Sequence, residues 1–232
     1  MAWRSTGKSN DELIENLFRN GLITSERVKE AMKGVDRAHY SPTRPYEDSP
    51  QSIGHSATIS APHMHANAAE SLLPFLHPGS RVLDIGSGSG YLTHVLAELI
   101  KPGGRVIGVE HIQALVDMGQ RNAGKSAEGR GLLSSGSMEF VLGDGRKGWA
   151  DEGGDGEDAG RGWDAIHVGA AAAGVHQALV DQLKSPGRLF IPVEEEDGLQ
   201  YIYTVDKKED GSVEKQKLYG VRYVPLTDAP RQ

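Results

Sequence analysis

Residues 81–90, R-V-L-D-I-G-S-G-S-G, constrain the fold more than any other stretch. Val82, Leu83 and Ile85 form a short apolar run that reads as a buried strand. Gly86, Ser87, Gly88, Ser89 and Gly90 follow it. From Tyr91 onward, Leu92, Val95, Leu96, Leu99 and Ile100 fall at helical spacing. Strand, glycine-rich turn and helix together open an α/β unit of the ligand-binding kind. Glycines let the turn approach a ligand with no Cβ in the way. The helix start adds unpaired N–H groups.

The glycine pattern leaves alternatives open. A dinucleotide turn is G-x-G-x-x-G, whereas this chain has G-x-G-x-G led by Asp84. The shorter form with an acid before it is similar to the S-adenosylmethionine loop of class I methyltransferases. A tight turn that binds nothing is the third alternative. The second strand, 105–109, ends at Glu110. An acid at that tip can accept hydrogen bonds from both hydroxyls of a ribose, which a purely structural turn does not predict. His111 opens the next helix, where Ile112, Leu115, Val116 and Met118 form the buried face. The third strand, 138–142, runs into Gly143-Asp144-Gly145-Arg146. Asp144 either contacts an adenine or completes a D-G turn, and the residues support both equally.

Upstream, S-x-x-E at Ser9 and Glu12 is a capping box for a helix with Leu13, Ile14, Leu17 and Phe18 on its apolar face, and Gly21 is its stop. A second helix starts near Thr24 or Ser25, with Val28, Ala31, Met32 and Val35 facing inward. Pro42, Pro45 and Pro50 make 36–50 irregular. The loop 51–66, Q-S-I-G-H-S-A-T-I-S-A-P-H-M-H-A, is unusually rich in hydroxyls and histidines. Such loops often carry function on a rigid scaffold. His63 and His65 have no third ligand nearby, so they read as hydrogen-bonding histidines and no metal is expected. Ser60 has no readable base–acid pair and no G-x-S-x-G elbow, which leaves a positioning hydroxyl or a turn hydroxyl. A helix follows and stops near Pro74.

Residues 151–162, D-E-G-G-D-G-E-D-A-G-R-G, read as a solvated surface insertion. The fourth strand is 164–168, and the small residues 169–173 leave room beside it. Val175, Ala178, Leu179 and Leu183 mark a helix that Ser185-Pro186-Gly187 ends, before a fifth strand at 188–192. Segments 199–205 and 217–224 alternate as late antiparallel strands. A net charge of −7 argues against a broad nucleic-acid footprint. With no cysteine, thiolate catalysis, disulfides and Cys-based zinc sites are excluded. No apolar run approaches a membrane span and M-A-W-R-S-T-G-K has no signal-peptide core, so a cytoplasmic protein without a membrane partner is expected.

Six segments carry a more specific resemblance: 1–3 (M-A-W), 48–54 (D-S-P-Q-S-I-G), 57–65 (A-T-I-S-A-P-H-M-H), 83–90 (L-D-I-G-S-G-S-G), 164–172 (D-A-I-H-V-G-A-A-A) and 224–228 (V-P-L-T-D). In this order, across essentially the whole chain, they resemble the protein-L-isoaspartate (D-aspartate) O-methyltransferase family. The glycine loop is shared by many methyltransferases, whereas A-T-I-S-A-P-H-M-H is far more specific.

The resemblance implies an α/β, class I methyltransferase-like (Rossmann-like) fold. Its central, mostly parallel sheet would carry helices on both faces, with an N-terminal helical and loop addition (1–60) before the catalytic core (61–232). It implies S-adenosyl-L-methionine as donor and S-adenosyl-L-homocysteine as product. The implied acceptor is the free carboxylate of an L-isoaspartyl or D-aspartyl residue in a damaged protein, whose methyl ester collapses unaided to a succinimide. The implied state is a monomer. By the same resemblance, Ser60 orients the acceptor carboxylate, with Ala57, Thr58 and Ile59 lining the same site. His65 touches the donor, Asp84 leads its loop, and Gly86, Gly88 and Ser89 lie beneath its methionine and sugar. Glu110 binds the ribose beside His111, Asp144 and Gly145 border the adenine, and Thr227 and Gln232 close the pocket from the tail. The chain departs from the family in its long 151–162 stretch, in Ala173-Gly174, in Ser185-Pro186-Gly187 and in ending at Gln232.

Overall fold

The structure, a computed structural model, describes residues 5–150 and 162–226. Most of the 151–162 stretch, the segment 1–3, Thr227 and Gln232 therefore lie outside the described residues. Ser9 opens α1 (Asn10–Arg19), its hydroxyl accepting the Glu12 N–H at 3.2 Å. The capping box closes differently from the sequence pattern, because Glu12 Oε2 takes the Lys8 N–H at 2.8 Å. Gly21 follows in the left-handed region at φ +71, as a helix stop requires. Ser25 caps α2 (Glu26–Gly34).

Where the sequence suggested only a loop, residues 51–59 form a hairpin of β1 (Gln51–Gly54) and β2 (Ala57–Ile59). Its strands are too short to show period-2 alternation, and its His55-Ser56 turn lacks the usual Asn-Gly signature. Both turn residues adopt positive φ, +52 and +57. Pro62 then starts α3 (Pro62–Leu72), which runs into a 3-10 turn around Pro74.

The central strands are β3 (Arg81–Ile85), β4 (Arg105–Glu110), β5 (Met138–Leu142) and β6 (Trp163–Val168). They continue with β7 (Leu183–Glu194), β8 (Gln200–Lys207) and β9 (Val213–Val221). The 7-stranded sheet has the order β5-β4-β3-β6-β7-β8-β9. It is parallel from β5 to β7 and antiparallel from β7 to β9. β7 begins earlier than the sequence suggested. Ser185-Pro186-Gly187 does not end a helix but sits in an irregularity between the pairs Trp163↔Leu183 and Ala165↔Arg188, where proline disturbs no ladder bond.

Between the strands come α4 (Tyr91–Leu99), α5 (Gln113–Ala123), α6 (Ala127–Ser134) and a short α7 (Gln177–Asp181). α6 has no clear sequence signal, since Gly129 and Gly131 lower its helix propensity, yet the Ser126 hydroxyl caps it at 2.9 Å. Strand alternation sends Val82, Val106, Met138 and Ala165 to one face, where buried residues of α1–α6 cover them. Leu83, Ile85, Ile107 and Ile166 go to the other face, which Leu179 and Val180 of α7 help cover. Helices thus lie on both faces, unevenly.

This topology places a site. The chain moves outward from β3 to β4 and β5, then returns to β6 on β3's other side. The carboxyl ends of β3 and β6 therefore flank the point where strand order reverses, and a crevice opens there. Gly169 N–H donates to Ile85 O at 2.7 Å across its floor. After β9 the chain crosses back over these strand ends. Ala171 N–H donates to Val224 O at 2.8 Å and Leu226 N–H to Ala171 O at 2.7 Å.

Candidate active site

The loop after β3 turns through Gly86, Gly88 and Gly90, all at positive φ (+75, +50 and +84). Gly86 N–H donates to Val109 O at 2.8 Å, which ties the loop to β4. At Gly90, the N-cap of α4, a Cβ would stand 2.8 Å from Phe140 Cζ and 3.0 Å from Gly119 Cα. Glycine is thus required there by dihedral and by space alike.

Glu110 closes the other side of the crevice and is 4% exposed. Its Oε2 accepts the Gly88 N–H at 3.1 Å, and its Oε1 accepts the His111 N–H at 2.8 Å and the Ile112 N–H at 3.3 Å. A carboxylate has about four acceptor positions. Three backbone N–H groups take acceptor positions and His111 Nδ1 lies 3.1 Å from Oε1, so the remaining acceptor capacity is on Oε2, toward the cavity that Glu110 lines.

That cavity has a volume of about 280 Å³. The β1–β2 hairpin contributes His55, Ser56, Ala57 and Thr58 to its walls. Ile112, Leu115, Ala170 and Leu226 supply apolar surface. A smaller hollow of about 30 Å³ adjoins it, with Thr58, Gly86, Gly88 and Gly169 lining both. Ile59, Ser60, His65, Asp84, Ser89 and His167 face the smaller one.

Asp84 is buried there with both oxygens engaged. Oδ1 lies 2.7 Å from His167 Nδ1 and Oδ2 accepts the Thr93 hydroxyl at 2.6 Å. It therefore organises β3, β6 and α4 beneath the loop. The Ser60 hydroxyl has no hydrogen-bond partner among the described residues. Its carbonyl accepts Arg37 Nη2 at 2.6 Å. Arg37 Nη1 also meets His65 Nδ1 at 3.2 Å. Burial first, then the positive charge of Arg37, holds the His65 pKa well below the usual histidine range. One turn away, Asp48 Oδ1 accepts both the His63 N–H at 3.0 Å and, at 2.8 Å, its ring Nδ1.

Most residues singled out in the sequence meet in this place. Ala57, Glu110 and His111 line the larger cavity, and Thr58, Gly86 and Gly88 line both. Asp144 and Gly145 line neither. The Asp144 carboxylate pairs with Arg146 Nε at 2.9 Å and Nη2 at 2.9 Å, and Gly145 packs on Ile85. Their expected contact with an adenine therefore has no counterpart in the cavity walls. Arg37, Asp48, Thr93 and His167 had no assigned part. His167 could have been found from alternation in β6, which puts it on the Asp84 side and opposite Ile166 in facing. Arg37 had no signal, standing in an irregular stretch far from the segment it holds.

Comparison with known proteins agrees with this geometry. The model of the family described as Protein-L-isoaspartate(D-aspartate) O-methyltransferase matches residues 8–231. A protein-L-isoaspartate O-methyltransferase of Caenorhabditis elegans is 45% identical over 232 residues, covering 100% of this chain and 98% of its own length. One from the archaeon Methanopyrus kandleri is 40% identical over 94% of this chain and 91% of its own. A crystal structure from Plasmodium falciparum, assigned as a protein-L-isoaspartate O-methyltransferase and in complex with S-adenosyl-L-homocysteine, superposes with a TM-score of 0.85. It is 36% identical and covers 95% of this chain and 99% of that one. With its crevice at the strand-order reversal and its likeness running nearly end to end, the chain belongs to the protein-L-isoaspartate(D-aspartate) O-methyltransferase family.

Proposed function

We propose that the larger cavity holds S-adenosyl-L-methionine and that the smaller hollow receives the carboxylate of an L-isoaspartyl or D-aspartyl residue of a damaged protein. The carrying observation is adjacency: the hollow lined by Ser60 and the larger cavity share Thr58, Gly86, Gly88 and Gly169, so the glycine loop borders both. The residues present fit the donor. Glu110 has acceptor capacity for ribose hydroxyls, and Ile112, Leu115 and Leu226 offer apolar walls to a base. The buried Ser87 hydroxyl, without a partner among the described residues, also lines the smaller hollow.

When bound, S-adenosyl-L-methionine supplies a methyl carbon made electrophilic by its sulfonium. The protein's residues have less to do with protons than with alignment. A carboxylate is already ionised near neutral pH, so no general base is needed. Asp84 is fully engaged and His65 is held neutral, which matches that requirement. The Ser60 hydroxyl donates to the acceptor carboxylate and sets its direction. Glu110 and the Gly88 N–H fix the loop on which the donor rests. The β1–β2 hairpin and residues 224–226 wall the cavity and limit water.

The test is transfer of labelled methyl from S-adenosyl-L-methionine to an isoaspartyl peptide, beside the matched aspartyl peptide. Label is expected in the isoaspartyl peptide alone. No label, or equal label in both, refutes the reading. We further propose that residues 1–232 act as one domain and as a monomer in the cytoplasm. No helix among the described residues is long and apolar enough to cross a membrane. Sedimentation and cell fractionation test the state and the location.

A further inference from the structure

Arg37 carries an inference that the reaction scheme does not use. Its side chain is 0% exposed, and no carboxylate among the described residues pairs with it at contact distance. A buried guanidinium without such a partner is costly. Burial lowers its pKa to about 10. Its guanidinium donates to the Ser60 carbonyl at 2.6 Å and to His65 Nδ1 at 3.2 Å, and the Tyr91 side chain also favours its charge. The guanidinium also sits 5.0 Å over the Tyr91 ring, at the start of the helix that follows the glycine loop. A side chain needed only to fill space there would be cheaper uncharged.

We propose that Arg37 is a positioning residue for the acceptor site, acting through the Ser60 backbone and the His65 ring. This rests on the acceptor reading given above. A guanidinium only donates, so His65 Nδ1 must accept and the ring proton is confined to Nε2. Fixing the Ser60 carbonyl fixes the backbone from which its hydroxyl projects. Asp48 grips His63 in the same segment, so two buried charges hold the Ser60–His65 segment from behind. The groups facing His65 are Arg37, His63, His167 and the Tyr91 ring. Of these, His63 is held by Asp48 and His167 by Asp84. Arg37, His63 and His167 all oppose a positive charge on His65.

The test joins kinetics with nitrogen-15 NMR of the histidines in the full chain. In the wild type, His65 is expected as the neutral Nε2–H tautomer near pH 6.5. R37K, which keeps a charge but loses the fork, is expected to lower kcat for the isoaspartyl peptide by about 10–100-fold, with a smaller change in KM. R37M removes the second cause of the low His65 pKa and leaves burial, so it is expected to shift the acid limb of the kcat profile to higher pH than in the wild type, and H65Q in the R37M background should remove that shift. An Nδ1–H tautomer or a charged His65 in the wild type overturns the proposal. So do folded R37K and R37M proteins with wild-type kcat and pH profile. If both variants fail to fold, the wild-type NMR alone decides. A wild type that leaves the isoaspartyl peptide unmethylated refutes the functional reading instead, and the NMR still reports on Arg37.

Discussion

Gly90 gives the sharpest quantitative test of how the glycine loop is built. In G90A two costs add. The residue must keep φ +84, and an L residue in the left-handed region costs roughly 1–2 kcal/mol. The new Cβ would also stand 2.8 Å from Phe140 Cζ, a distance that forces Phe140 or the loop to move. Overpacking of this kind costs about 1–3 kcal/mol more. The sum is about 2–5 kcal/mol. G21A is the control, because Gly21 has φ +71 with nothing within 4 Å of its added Cβ, so it incurs the dihedral cost alone. The assay is urea unfolding of both variants. F140L closes a double-mutant cycle by removing the ring edge that the methyl would strike. The two substitutions together should cost less than their sum, by about the 1–3 kcal/mol of the clash. If G90A costs no more than G21A, or if the cycle shows no coupling, the packing explanation of the loop is wrong and only the dihedral argument survives.

Other expectations follow from the same geometry. E110Q would place an amide NH₂ against the N–H of Gly88 or of His111, so S-adenosyl-L-homocysteine should bind about 5- to 150-fold more weakly, by roughly 1–3 kcal/mol. Unchanged affinity by calorimetry would count against Glu110. The double substitution H55N/S56G supplies residues suited to two consecutive positive φ angles and should raise stability by about 1 kcal/mol. A lower urea midpoint would show that His55 and Ser56 have contacts worth more than their strain. His65 should make stability depend on acidity. Its folded pKa is depressed below the ordinary 6.5, so the unfolded chain binds the extra proton first as pH falls. The contribution is present above 6.5 and is lost progressively below it. The urea midpoint should therefore drop from about pH 7 to about pH 5, and by less in H65Q. Parallel curves for the two proteins would refute the assignment.

The parallel half of the sheet was legible because β3 and β4 are buried on both faces and their apolar runs are nearly continuous. The helices after them were legible from their apolar spacing alone, since neither α4 nor α5 has a side-chain cap. The features that escaped are those whose cause lies elsewhere in the chain. α6 contains Gly129 and Gly131 and is stabilised by Leu132 docking into the main core. β7 extends back through Pro186 because Leu183 finds Trp163, a partner distant in sequence. The hairpin at 51–59 is too short to announce itself, and its Ile53 reaches over the loop to within 3.5 Å of where a Gly88 Cβ would stand.

The site divides along the same line. Residues that line the two hollows, such as Ser60, Glu110 and the loop glycines, left marks in the sequence as motif, spacing or strand tip. Residues whose task is to hold those groups did not. Asp84 shows why the boundary is easy to misplace. It heads the motif and invites a ligand-facing role, yet both its oxygens are committed, to His167 on β6 and to Thr93 on α4. A carboxyl group so satisfied stiffens the junction of three elements and sets the shape of the loop above it. Arg37 and Asp48 hold Ser60, His63 and His65 in the same way. Arg37 and Asp48 line neither hollow, whereas Asp84 borders the smaller one with both oxygens already engaged. Methyl transfer between a sulfonium and an ionised carboxylate asks for alignment more than for proton transfer. A site for it can therefore commit most of its charged side chains to protein partners and leave a hydroxyl, backbone N–H groups and the spare acceptor capacity of one carboxylate, Glu110, for a ligand.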